Sequence, residues 1–308
     1  MINTRVQVCY KAFGYKILSE IILPELHESN FEYISADLEI GFTDLYQRWE
    51  ESEKVNKYFV INEEMIMFCV PDVAIFSIQS GKQIYITKLM DAHDDQIRLY
   101  LLGTCMGILL MQRKILPLHG SAIEINGKAY AIIGDSGVGK STLAAAFLNN
   151  GYRLLSDDVI PISFNETNQP MVTPAYPQQK LWQESLDNFG MESKNLRPII
   201  NRETKFAIPV ANQFSNEQLP LAGVFELVKT ESSFIRLQPI QNLARLQTLF
   251  CHTYRNFLIE PQGLMDWHFN TIAKLASKLD VFQLVRPTSR FTAHELTTLI
   301  LSTIERES

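Results

Sequence analysis

An α/β domain behind a β-rich N-terminal domain is the fold class that this 308-residue sequence predicts. Three observations carry it. Residues 1–92 hold short runs rich in β-branched and aromatic residues. The middle of the chain holds a glycine-rich G-x-x-x-x-G-K-S stretch between an apolar strand-like run and an alanine- and leucine-rich helical run. Its last ninety or so residues alternate strand-like with helix-like segments. The chain accordingly divides into 1–92 and 93–308.

In the first part, RVQVCYKAF, YKILSEIIL, KYFVINEEMIMFCV, VAIFSIQ and KQIYITKL read as strands, with PDV and SGK as turns between them. The opening MINTRVQVCYKAFG has neither the apolar core nor the cleavage site of a signal peptide, so it reads as part of the fold. The apolar run Ile97 to Met111 is too short to span a bilayer and carries two glycines and Thr104, so a buried helix is expected and stable membrane insertion is not. Asp94 and Asp95 at its start and Arg113 and Lys114 at its end match the helix dipole.

Beyond Pro117, LHGSAIEI and KAYAIIG flank Asn126-Gly127, the dipeptide best suited to a tight hairpin turn. The helix KSTLAAAFLNN ends on Gly151, and the strand YRLLSDDVIPISF follows. From about 170 to 220 the chain carries prolines and no clean period, which predicts a long irregular segment of the kind that forms binding loops and lids. The remainder reads as strand LAGVFELVK, helices QNLARLQTLFCHTYRNFL and MDWHFNTIAKLASKL, strand VFQLVRP and a last helix TAHELTTLILSTIE. No internal repeat is visible.

A net charge of −6 gives no basic footprint, which disfavours nucleic acid as the main partner. Small molecules or a peptide are the expected partners. Cys9, Cys69, Cys105 and Cys251 lie far apart and include no C-x-x-C pair, arguing against a zinc knuckle or disulfide scaffold and for a reducing, cytoplasmic setting. The oligomeric state is not legible.

Gly134, Asp135, Ser136, Gly137, Val138, Gly139, Lys140 and Ser141 fit the phosphate-loop pattern at every fixed position. Glycines let backbone N–H groups converge on phosphate oxygens at a helix N-terminus. Lys140 would neutralise the terminal phosphates of a nucleotide, the Ser141 hydroxyl would meet Mg2+, and Thr142 would cap the helix or touch the first phosphate. Asp157 and Asp158 come about seventeen residues after Lys140, on the first strand after the loop helix. Adjacent strand residues face opposite ways, so one carboxylate is expected near Mg2+ and Ser141 and the other at an acceptor hydroxyl, ready to take its proton. His119, on the strand hairpinned to the one that delivers the loop, can orient or polarise Asp157. Cations for the transferred phosphoryl group would come from Lys180, Arg202, Lys205 and Arg286, and Tyr176 and Trp182 could line a peptide groove.

Residues 118–162, LHGSAIEINGKAYAIIGDSGVGKSTLAAAFLNNGYRLLSDDVIPI, resemble the central segment of the HPr kinase/phosphorylase catalytic domain: a histidine-glycine strand, a hairpin, a loop beginning Gly-Asp-Ser-Gly, a short helix ending in glycine and a strand with paired aspartates. The resemblance implies an HPr kinase C-terminal-domain-like P-loop core, related in fold to phosphoenolpyruvate carboxykinase, and a protein serine kinase using ATP and Mg2+. It assigns Asp157 as acid/base on the substrate hydroxyl, Asp158 and Ser141 to the metal, and His119 to the acceptor side. Thr142 stands where that family carries glutamate, and the family's glycine-rich second signature has no counterpart here. The β-rich leader together with LPLHGSA, GKSTLAAAF, AYPQQKLW and LPLAGVFEL resembles the HPr-kinase-like proteins found with lasso peptide biosynthesis enzymes. This implies a precursor peptide phosphorylated at a serine near its C-terminus. An HPr-directed or small-molecule kinase, and an ATP-binding accessory protein that transfers nothing, stand as alternatives.

Overall fold

The computed structural model describes residues 7–30, 32, 35–62, 64–199 and 202–307, with the side chains of 202, 203 and 307 outside the description. The chain forms two compact units, Met1–Ile115 with Phe257–His268, and Leu116–Asn256 with Phe269–Ser308. The division therefore falls some twenty residues later than the 92/93 boundary expected from sequence. The apolar helical run at 94–112 belongs to the first unit, and a short segment returns to it.

The first unit is β-rich, as its residue types dictate. Its strands are β1 (Val8–Ala12), β2 (Tyr15–Ser19), β3 (His27–Glu28), β4 (Leu38–Phe42), β5 (Phe59–Ile61), β6 (Met65–Val70), β7 (Ala74–Gln79) and β8 (Gln83–Lys88). They make one sheet in the order β3-β1-β2-β4-β8-β7-β6-β5. Phe59, Phe68 and Phe76 face one another directly across β5, β6 and β7, with ring centroids 5.5 and 4.8 Å apart, a cross-strand aromatic ladder that pins the register. The predicted buried helix is one continuous rod: α2 (Asp94–Tyr100), a π-helical turn (Leu101–Cys105) and α3 (Met106–Gln112). The turn widens where Gly103 and Thr104 interrupt the apolar run. Among the described residues no helix is long and apolar enough to cross a membrane.

The second unit is built round β9 (Leu116–Ile125), β10 (Lys128–Ile133), β11 (Arg153–Phe164), β12 (Pro170–Val172), β16 (Leu219–Thr230), β17 (Arg236–Pro239) and β18 (Asp280–Pro287). Asn126 and Gly127, at φ 52° and 72°, make the turn that joins β9 antiparallel to β10. β10 also pairs in parallel with β16, and β16 in parallel with β18. Because β11 pairs with β9 and β12, and β12 with β16, the pairings of β10, β9, β11, β12 and β16 close on themselves.

The period-2 alternation of the strands sends side chains to two cores. Tyr130 and Ile132 of β10 pack with Leu143, Phe147 and Leu148 of α4 (Lys140–Asn149) and with Leu296 and Ile300 of α8 (Ala293–Glu307). Ala129, Ala131 and Ile133 pack on the other face with Leu249 of α6 (Leu243–Cys251) and with Ile272 and Leu275 of α7 (Met265–Lys278). Each large aliphatic side chain so buried contributes about 1.5–3 kcal/mol.

Two readings are corrected. Residues 170–220 are not an irregular lid: β13 (Gln178–Trp182), β14 (Arg197–Ile199) and β15 (Arg202–Pro209) form a small antiparallel sheet beside α5 (Gln183–Asn188). Its strand period is hidden because Gln178, Gln179, Lys180 and Leu181 are all buried, on both faces. The helix expected through Leu258 ends at Cys251, because Thr253 instead bridges to Leu118 and the Tyr254 N–H donates to the Pro117 carbonyl at 2.8 Å.

β9 and β10 approach closely at Gly120: a Cβ there would stand 2.2 Å from the Ile132 carbonyl oxygen. Gly120→Ala is expected to destabilise the protein by about 1–3 kcal/mol or more, read from the urea midpoint, because the obstacle is backbone and cannot rotate away.

Candidate active site

The loop from Gly134 to Gly139 leaves the C-terminal end of β10 and delivers the chain into α4, whose N-cap is Gly139. The parallel strands β10, β16 and β18 end at this side, where open α/β sheets hold ligands. The first turn of α4 contains no acidic residue, so the positive end of the helix dipole faces the loop uncompensated from within that turn. The Lys140 ammonium donates to the carbonyls of Gly134 and Asp135 at 2.8 and 2.9 Å. Burial pushes it down to about 8, against the opposing pull of Asp157 and Asp158. Asp135 and Ser136 are exposed at the loop tip, while Val138 packs into the α4 core.

The two aspartates enter on β11. Asp157 lies opposite Ser121, Asp158 opposite Gly120 and Val159 opposite His119. His119 and Ser121 alternate with Ile123 along β9, and so share the face that packs against α4. Asp157, 3% exposed, joins them: its Oδ1 accepts from Ser121 Oγ at 2.6 Å and from Ser141 Oγ at 2.9 Å, and its Oδ2 accepts from the Lys180 backbone N–H at 2.9 Å.

Strict alternation would send Asp158 to the opposite face. It adopts φ 86° instead, a left-handed conformation that costs a non-glycine residue about 1–3 kcal/mol. That twist brings its Oδ2 within 2.9 Å of the Lys180 ammonium and its Oδ1 within 3.5 Å of His119 Nδ1. Lys180 therefore binds both carboxylates, one through its main chain and one through its side chain. Burial opposes the charge on Asp158, yet Lys180, His119 and Lys205 together hold its carboxyl well below the usual carboxylate range. The reciprocal attraction outweighs burial at Lys180 and lifts its ammonium well above the ordinary lysine value.

His119 is clamped on both sides. Its backbone N–H donates to the His252 carbonyl at 2.8 Å, and its ring lies 5.7 Å from that of Tyr254. Its Nδ1 is 3.1 Å from the Asp158 carbonyl oxygen, which can only accept, so the neutral ring carries its proton on Nδ1. Burial holds the imidazole below its usual pKa against the pull of Asp158. Behind it, His252 Nε2 meets Glu226 Oε1 at 3.0 Å, and Gln283 donates to Glu226 Oε2 at 2.9 Å.

The structure brings together most of the residues singled out from sequence, but pairs them differently. Ser141 binds Asp157 and not Asp158, and His119 meets Asp158 and not Asp157, because the left-handed backbone at Asp158 departs from ordinary strand alternation. Thr142 does not cap α4; its hydroxyl meets Ser185 Oγ on α5 at 2.8 Å. Lys180 is central. Lys205 stands opposite Trp182 across β13 and β15, with its ammonium 5.3 Å from the indole centroid. Arg286 reaches the loop itself, its Nε donating to the Val138 carbonyl at 2.8 Å. Arg202 opens β15, and its side chain lies outside the described residues. Ser121, Glu226 and His252 were missed; only Ser121 carried a sequence signal, standing two residues from His119 and so on the same strand face.

Residues 111–183 match the family described as HPr Serine kinase C-terminal domain. Among curated proteins, the HPr kinase/phosphorylase of Limosilactobacillus reuteri is 31% identical over 112 residues, 32% of this chain and 34% of that protein. That of Nitrosomonas europaea is 24% identical over 160 residues, 47% of this chain and 48% of its own length. That of Mycoplasmopsis pulmonis is 38% identical over 64 residues, 20% of this chain and 21% of that protein. The chain thus spans between about a fifth and a half of the length of these relatives. The solved Hpr(Ser) kinase/phosphatase of Coxiella burnetii aligns with 62% of this chain and 95% of that one, at 18% identity and a TM-score of 0.33.

The position of Lys140 fixes a pH dependence. The folded protein releases this proton near about 8, whereas the unfolded chain keeps it to an ordinary 10.5, so between those values the unfolded state binds more protons. Stability is therefore expected to gain an increment as pH rises through that window. Urea unfolding of wild type and Lys140→Met at pH 7.5 and pH 10 isolates it, and the variant should lack the gain.

Proposed function

We propose that this protein is an ATP-dependent serine kinase, with a peptide as acceptor. One observation carries the reading: a phosphate loop whose Ser141 is bonded to one carboxylate, Asp157, while the adjacent carboxylate, Asp158, is turned out of strand alternation onto Lys180 and His119. A nucleotide-binding module that only held phosphate would need the first and not the second. The match of residues 111–183 to the HPr Serine kinase C-terminal domain, and the kinase names of the relatives, support it.

Lys140 and the loop N–H groups hold the polyphosphate of ATP. Mg2+ is an ion held by one or two protein oxygens and the substrate phosphates, and the hydroxyl and carboxylate oxygens beside the loop are donors of that kind. Ser141 and Asp157 would hold it, and it would neutralise charge on the transferring group. Asp157 already accepts three hydrogen bonds, and the lone-pair site that remains is the one Mg2+ would take, which leaves none for a substrate proton. The roles expected from sequence are therefore exchanged. Asp158 orients the acceptor hydroxyl and accepts its proton as the serine Oγ to phosphorus bond forms and ADP departs. Its low basicity suffices, because phosphoryl transfer runs through a loose transition state in which positioning matters more than base strength. Lys180 and Lys205 offset charge on the acceptor side, and His119 holds Asp158 in place.

The acceptor favoured here is a lasso peptide precursor, modified at a serine near its C-terminus. The subgroup resemblance of the β-rich leader, AYPQQKLW and LPLAGVFEL supports this, and AYPQQKLW contains the Lys180 that clamps both carboxylates. A cytoplasmic setting accords with four free cysteines. The names of the relatives favour a second reading, an HPr-type protein as acceptor.

Mass spectrometry of a precursor peptide incubated with the protein, ATP and Mg2+ should find one added phosphoryl group on a serine near the C-terminus. Modification of HPr alone would transfer the assignment to the second reading, and ATP binding with neither acceptor modified would leave an accessory protein. Asp158→Asn, which tolerates the left-handed backbone, should cut transfer by about 10²-fold or more while ATP binding persists. Asp157→Asn should instead raise the Mg2+ concentration needed for half-maximal rate.

A further inference from the structure

Arg286, at the end of β18, lies against the phosphate loop from the side opposite the aspartates' strand, across β16 in the sheet order. Its Nε donates to the Val138 carbonyl at 2.8 Å, and its Nη1 reaches the Pro287 carbonyl at 3.3 Å. Nη2 has no hydrogen-bond partner among the described residues. The C=O and N–H of a trans peptide point in opposite directions. A guanidinium that draws the Val138 carbonyl towards β18 therefore turns the Gly139 N–H away from β18. Gly139 allows this arrangement: it has φ 105°, and a Cβ there would stand only 3.4 Å from both Nε and Nη2 of Arg286. Nothing separates the guanidinium from the loop.

Charge adds a second argument. Burial disfavours the Arg286 cation, and the neighbour that favours it is Glu184. No carboxylate is bonded to the guanidinium among the described residues, so a partly buried cation with one unused edge stands beside a loop whose geometry suits anions.

We propose that Arg286 is a phosphate-loop arginine supplied from within the same chain: one edge fixes the Val138–Gly139 peptide so that its N–H serves the loop, and the other, Nη2, bears on the polyphosphate held there. The proposal rests on the nucleotide reading of the loop. It gives Arg286 a part in binding ATP and ADP, whereas the candidate roles of Lys180 and Lys205 concern the acceptor.

Titration calorimetry of ADP with Mg2+ into wild type, Arg286→Lys and Arg286→Gln tests it, alongside 31P NMR of the bound nucleotide. Loss of a charge-assisted hydrogen bond should raise Kd about tenfold or more in Arg286→Gln, with partial recovery in Arg286→Lys, which keeps the charge and a donor. The β-phosphate resonance should move in both variants and the α-phosphate resonance should not, a selectivity that general loosening of the fold would not produce. A Kd within about twofold of wild type in both variants, with the β resonance unmoved, overturns the proposal. If Arg286→Gln fails to fold, Arg286→Lys decides by the same two readouts. Wild type that binds no ADP would bring down the nucleotide reading and this inference together, whereas wild-type binding with indifferent variants would sink the inference alone.

Discussion

Two neighbouring carboxylates on one strand repel each other and by default face opposite sides, and the candidate site depends on how Lys180 offsets both tendencies. Its backbone N–H binds Asp157 and its ammonium binds Asp158. A main-chain donor cannot swing away, so β13 must lie where it does for Asp157 to be satisfied. Removing Asp158 would be costly on the lysine side of this pair, because the Lys180 ammonium is buried and would find little water to turn to. The small sheet, the left-handed backbone at Asp158 and the lowered pKa of its carboxyl all meet at that one residue.

The rigid half of the site is supplied by the sheet. β10, which delivers the loop, is paired along both edges, to β9 and β16, and its side chains are committed to two cores. Sliding it by one residue would exchange Ile132 and Tyr130 for the alanines facing the other way. The loop's position is thus set by packing on a scale much larger than the loop. Lys180, Asp158 and His119 hang on lesser supports: a three-stranded sheet, one left-handed residue and the single bridge of Thr253 to Leu118.

What could be read from sequence follows the same division. The glycine loop, the Asn126-Gly127 hairpin and the helix after Lys140 were legible because each is a local rule with fixed residue types. The paired aspartates were legible as a pair and not in their roles, since a single left-handed residue in a strand leaves no mark when that residue is aspartate. Lys180 read as one cation among several, and only a buried partner distinguishes it from a solvated lysine. The sheet of β13, β14 and β15 was hidden because buried glutamines and a buried lysine carry the pattern of a polar loop. His252 and Glu226 meet only after the chain has crossed the sheet, which no local pattern encodes.

The closed circuit of strands β10, β9, β11, β12 and β16 bears on how this unit avoids sticking to itself. A sheet that returns to its own first strand pairs β10 and β9 along both edges, and among the described residues the branch through β18 ends in β17 as an outer strand. That strand is four residues long, begins with Arg236 and ends with Pro239, a charge and a missing donor at its two ends. Short length, charge and proline are the devices by which sheet proteins discourage edge-to-edge pairing. A neighbouring chain in strand conformation therefore finds little backbone to pair with along β17.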